Sequence, residues 1–113
     1  MEEADNAITY ETIFEILRRE RSSDALNKLD EPFYSNVVRY IEEKNAVGEQ
    51  DILFNVKRMI KEIYERRERK IVGLAVDKCR LGSDGLNTAN MLAEERTLYE
   101  EVVGLLLNSR RSV

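Results

Sequence analysis

One long stretch without a proline limits this fold more than any other feature of the sequence. From Asp51 the apolar positions Ile52, Leu53, Val56, Met59, Ile60, Ile63 and Tyr64 recur three and four residues apart. They continue through Ile71, Leu74 and Ala75, with no proline from there to the C-terminus. That spacing is the signature of a helix with one buried face. A helix of about 30 residues is roughly 45 Å long at 1.5 Å per residue, more than the fold of a 113-residue monomer usually needs. The overhang implies a partner. Gly73 lies inside this helix, where glycine costs roughly 1 kcal/mol if exposed, so it is expected to mark a close helix crossing or a slight bend.

The rest of the chain reads as shorter helices. Tyr10, Ile13, Phe14, Ile16 and Leu17 form a stripe on a first helix at about 9–21, with Thr9 as N-cap and Arg18, Arg19 and Arg21 near its negative end. After a polar break at Ser22, Ser23 and Asp24, Asp30 is expected to cap a second helix. Glu31 suits its positive end, Pro32 its first turn, and Leu29 can staple onto Tyr34. Phe33, Val37, Tyr40 and Ile41 make its stripe, which runs to about Lys44 before a loop that turns at Gly48. Leu81 to Asn90 reads as a loop, with Gly82, Ser83, Asp84 and Gly85 as turn residues. The last helix starts near Ala93, with Glu94 and Glu95 at its positive end and Arg110 and Arg111 at its negative end. Leu98, Tyr99, Val102, Val103, Leu105 and Leu106 give it a broad apolar face. Strand-like alternation is nowhere sustained. The expected fold is all-α: a single helical domain over residues 1–113, a bundle of about four helices with one long central helix.

What is missing narrows the function. The chain has no His, so proton transfer through imidazole, His-activated nucleophiles and His-containing zinc sites are unavailable to it alone. Cys79 is the single cysteine, and a half-buried core thiol is the expected role. No signal-peptide pattern or apolar run of membrane-spanning length is present, so the chain reads as intracellular and off the membrane. Adjacent carboxylates at Glu42 with Glu43, Glu94 with Glu95, and Glu100 with Glu101 point about 100° apart on a helix, so they read as helix-end or solubilising charge rather than as catalytic pairs. No catalytic, cofactor-binding or metal-ligating residue is assigned, and no cofactor is expected.

The densest charge cluster is Lys57, Arg58, Lys61, Arg66, Arg67, Arg69 and Lys70, interrupted by Glu62, Glu65 and Glu68. It reads first as a solvated face laced by pairs such as Glu62 with Arg66 and Glu65 with Arg69. A basic ridge for nucleic acid is the alternative, but a net charge of −4 weighs against strong DNA binding. Continuing the stripe from Ile63 to Ile71 carries Arg67 toward the buried side, where an interfacial ion pair would fit Arg66, Arg67 and Lys70. Tyr10 and Tyr64 fit core or interface packing better than base stacking.

Four stretches together carry a resemblance: ILRRER at 16–21, LDEPFY at 29–34, RRERK at 66–70 followed by Ile71, and NMLAEERTLYEE at 90–101. In order and spacing they resemble the helical A domain of an archaeal GINS subunit, of the class in which the A domain precedes a small β-rich B domain. Arg18, Arg19 and Glu20 match the polar end of the first helix, and Phe33 and Tyr34 the aromatic start of the second. Arg66, Arg67, Lys70 and Ile71 match the charged centre of the long helix. Asn90, Met91, Leu92, Glu94, Glu95 and Tyr99 match the entry to the last. Ala93 stands where this motif often has proline, and the sequence ends at Val113 without a B domain.

The resemblance implies a non-enzymatic scaffold in chromosomal replication, a tetramer with its own copies or with a second GINS subunit, in a complex that joins the MCM helicase to a RecJ-like protein. It implies an archaeal, cytoplasmic and nucleoid-associated chain. The RecJ-like contact, which the family places on the B domain, is not carried over. Candidate interface and motif residues are therefore Arg18, Arg19, Phe33, Tyr34, Tyr64, Arg66, Arg67, Lys70, Ile71, Met91, Leu92 and Tyr99. Two rivals remain: a nucleic-acid-binding module using the 57–70 ridge, and a small mutase-like enzyme with Arg18, Arg58 and Arg66 as anion clamps.

Overall fold

The computed structural model describes residues 8–82 and 86–111. Four α-helices follow one another: α1 (Tyr10–Ser22), α2 (Phe33–Ala46), α3 (Gln50–Leu81) and α4 (Ala93–Arg111), with a 3-10 turn at Leu86–Asn90 before the last. Helix α3 is 32 residues long, about 48 Å at the standard rise, and nearly spans the molecule's longest dimension of 55 Å. It is the axis on which the other three helices are laid.

Two apolar cores share that axis. Ile13, Ile16 and Leu17 of α1 and Phe33, Val37 and Tyr40 of α2 close over Val56 and Ile63 of α3, with Leu92 from the entry to α4. Further along, Ile71 and Ala75 of α3 pack with Tyr99 of α4, Met91 and Leu26. Helices α1 and α4 both run in the direction of α3. Tyr10 and Phe14 share a cleft with Asn55 and Arg58 while Glu20 reaches Arg67 along α1, and Glu95 meets Arg67 while Val103 meets Cys79 along α4. Only α2 opposes them, turning at Gly48 into the start of α3. The 3-10 turn accordingly lies back beside the middle of α3, where the Asn90 carbonyl accepts from Arg67.

Local chemistry accounts for the helix ends. Thr9 caps α1 by accepting the Thr12 amide. Gly82 ends α3 at φ +82°, with its N–H donated to the Lys78 carbonyl, a left-handed position that suits glycine. Gly48 serves the turn at φ +78°.

Three expectations are corrected. Asp30 does not cap α2 with its side chain; its backbone carbonyl accepts the Phe33 amide, which is the amide a side-chain cap would have served, and α2 starts after Pro32. Gly73 does not mark a close crossing, since a β-carbon there would meet nothing within 4 Å. No ion pair joins Glu65 to Arg69, although Glu62 pairs with Arg66 at the same spacing. Ser83, Asp84 and Gly85, read as turn residues, lie outside the described residues.

Candidate functional site

Between the two cores the line Ile63, Arg67, Ile71, Ala75 runs along the buried side of α3, and its second member is an arginine with no exposed surface. A buried guanidinium needs partners for its five N–H donors, because an unmet charge inside a protein is far costlier than an unmet amide. All five are met. Nε and Nη2 hold the two oxygens of Glu95 at 2.7 and 2.8 Å. Nη1 donates to Glu20 at 2.6 Å and to the Asn27 carbonyl at 2.8 Å. The remaining Nη2 hydrogen goes to the Asn90 carbonyl at 3.1 Å. One side chain of α3 thus holds α1, the loop after it, the 3-10 turn and α4.

Lys70, one turn on, repeats the logic. Its ammonium donates to the Glu20 carboxylate at 2.6 Å, to the Glu20 carbonyl at 3.0 Å and to the Ala25 carbonyl at 2.9 Å. The Glu20 carbonyl is one of those left over at the end of α1, so Lys70 caps that helix while it pairs with the carboxylate. Asn90 ties the other side by donating from its side-chain amide to the Leu26 carbonyl. Two cations and two carboxylates make the network neutral.

Glu95 sits at the third position of α4 and accepts the Leu92 amide at 2.9 Å, half of a capping box. It also accepts the Tyr34 hydroxyl at 2.9 Å. Burial raises the Glu95 pKa, but the hydrogen bonds from Arg67 and then from Leu92 outweigh it and leave the carboxyl below its usual range. Burial, followed by the charge of Glu95, pushes the Tyr34 phenol well up, so it stays a hydrogen-bond donor at neutral pH. Reading Glu95 as a solubilising charge is corrected: it is a helix-end carboxylate, but a buried one.

Of the residues singled out from sequence, the structure brings Arg67, Lys70 and Tyr34 into this network. Phe33, Ile71, Met91, Leu92 and Tyr99 are buried in the two cores around it. The ion pairing expected of Arg67 and Lys70 at an interface is directed inside the chain. Arg66 bonds Glu62, which Arg21 also holds from α1. Arg18 and Arg19 lie on the surface with Glu15 between them. Tyr64 is about half exposed beside Tyr34, with ring centroids 6.4 Å apart. Arg18, Arg58 and Arg66 do not converge: Arg58 lies over the Phe54 ring, while the other two are paired to separate carboxylates.

Sequence reasoning missed Asn27, named Glu20 and Asn90 only as positions of family resemblance without a role in an ion network, and read Glu95 as helix-end or solubilising charge. The signal for the carboxylates was present. Glu20 falls in register with Ile13, Ile16 and Leu17, and Glu95 in register with Leu98 and Tyr99, so each carboxylate belongs to an apolar stripe. The carbonyls of Asn27 and Asn90 carried no such signal, because any residue presents one.

Apolar side chains remain uncovered at both ends of α3. Phe54 is 66% exposed near its start, close in the chain to Val47 at 68%. Leu81 at its end is 76% exposed, and Leu105 of α4 is 69% exposed. Among the described residues no group of His, Cys, Asp or Glu is arranged to hold a metal, and no helix is long and apolar enough to cross a membrane.

Two cores strung on one long helix and locked by a neutral buried ion network define an all-helical bundle domain. Residues 7–113 match the family described as the GINS complex protein helical bundle domain, Sld5 type, and the chain belongs to that family. It is thereby a helical domain of a DNA-replication complex subunit. No curated protein and no solved structure matches it.

Proposed function

We propose that residues 1–113 act as one helical assembly domain, a non-enzymatic scaffold unit of the GINS complex. It packs into a tetramer with its own copies or with a second GINS subunit, and serves a complex that links the MCM helicase to a RecJ-like protein. One observation carries the assembly reading: the apolar side chains of Phe54, Val47, Leu81 and Leu105 stand uncovered near the two ends of α3. Exposed apolar surface of this kind favours burial against another chain.

The rivals fare worse on the same observations. Of the basic cluster, Arg67, Lys70 and Arg66 are engaged with carboxylates of this chain, which leaves Lys57, Arg58, Lys61 and Arg69 as a thinner ridge. The three arginines of the mutase reading lie apart. Light scattering after gel filtration, over a range of concentrations, tests the proposal. A dimer or tetramer that Phe54→Ser or Leu105→Ser reduces in mass, with helicity unchanged, is the expected result. A monomer at every concentration, alone and with added partner subunits, would refute it.

A further inference from the structure

A cleft of about 300 Å³ opens beside the ion network, between α2, α3 and the start of α4. Its walls are Tyr34, Tyr64, Ile71 and Leu98, and Glu68 and Glu94 stand at it with them. The chemistry of these six side chains is asymmetric. The rings and the two aliphatic side chains offer apolar and π surface, while every free charge at the cleft is negative. Glu95 also lines it, but its charge is answered by Arg67, as that of Glu20 is by Arg67 and Lys70. With the network neutral, Glu68 and Glu94 are the uncompensated groups, and among the described residues neither is ion-paired.

We propose that this cleft is a socket for an arginine side chain of a partner protein. A guanidinium is flat enough to lie on a tyrosine ring and carries donors for two carboxylates at once, and its aliphatic stem suits Ile71 and Leu98. An anionic ligand would meet Glu68 and Glu94, and a purely apolar one would bury them unpaired. The same cation would offset one of the two uncompensated charges on this face. Tyr34 is already held by Glu95 from behind, so half of the aromatic wall is fixed before a ligand arrives.

The proposal deepens the assembly reading by naming the chemistry of one partner contact, yet its test does not depend on oligomeric state. The full chain, labelled for backbone NMR, is titrated with butylguanidinium, with butylammonium and with neutral butylurea. Shifts confined to residues around 64, 68, 71, 94 and 98 are expected with butylguanidinium. The response to butylammonium should be weaker, and that to butylurea weaker still. Glu68→Gln with Glu94→Gln, both outside the ion network, should keep the fold and weaken butylguanidinium about fivefold or more. Equal responses to the three probes, or binding unchanged in the double variant, would overturn the proposal. A monomer in light scattering would defeat self-assembly and leave this result standing.

Discussion

Replacing Arg67 with methionine should do more harm than any other single exchange on α3, and should reverse the pH dependence of stability. The side chain has no exposed surface and meets Glu20, Glu95 and the carbonyls of Asn27 and Asn90 with all its donors. Methionine fills similar space without strain but leaves Glu95 buried with no cation, while Glu20 keeps Lys70. Breaking one partner out of a buried pair costs about 3–5 kcal/mol, a large share of the roughly 5–15 kcal/mol that holds a domain together. Urea unfolding followed by circular dichroism, at fixed protein concentration, reads that loss.

The pH test separates charge from packing. In the native chain the pKa of Glu95 is lowered, so its contribution is present above the unfolded value and fades as pH falls through the folded one. In Arg67→Met, burial without a cation raises the same pKa above the unfolded value. The folded state then binds the extra proton, and stability rises as pH falls from about 7 to about 5. Adding Glu95→Gln removes the stranded charge and should recover about 2 kcal/mol or more of the loss, a coupling that a double-mutant cycle isolates. A loss below about 1 kcal/mol, or variant and native slopes of one sign, would refute the account of Arg67 as the charge that holds the two cores together.

Glu62 is held at about 2 by hydrogen bonds from Arg21 and then Arg66, so acid titration should weaken the α1–α3 contact only as pH falls below the unfolded carboxylate range, and Glu62→Gln should flatten that limb in an acid-unfolding series. Gly73→Ala should stabilise by about 1 kcal/mol, because the position is exposed, helical and free of neighbours; a lowered melting temperature in calorimetry would show that another chain covers it. Thr9→Ala should cost about 1 kcal/mol in the same assay by removing the acceptor for the Thr12 amide.

Most of the helical plan was legible because helices are local. Periodicity placed α1 within a residue at each end, the scarcity of proline allowed α3 its length, and Gly48 and Gly82 ended helices where glycine can take positive φ. The start of α2 was misjudged by a competition between neighbours, in which the Asp30 carbonyl took the amide expected for its carboxylate. Arg67 was recognisable as an arginine on a buried stripe, but its partners lie 28 and 47 residues away. No spacing rule joins positions that far apart. Phe33, Ile71, Met91, Leu92 and Tyr99, candidate interface or motif positions by likeness, are side chains that the chain buries within itself. Motif likeness marks positions that matter without saying whether they matter to the fold or to a partner.

The sequence by itself determined the helices, their faces and the long axis at α3, since each depends on neighbours within a turn or two. It also carried the family likeness, which resides in the order of short strings. Only the tertiary structure decided that α4 runs alongside α3 in the same direction, that Glu20 and Glu95 converge on one guanidinium, and that Tyr34, Tyr64, Glu68 and Glu94 share a cleft. The physical reason is range. Helical hydrogen bonds span four residues, whereas a buried charge draws its partners from wherever the chain brings them close enough to replace water.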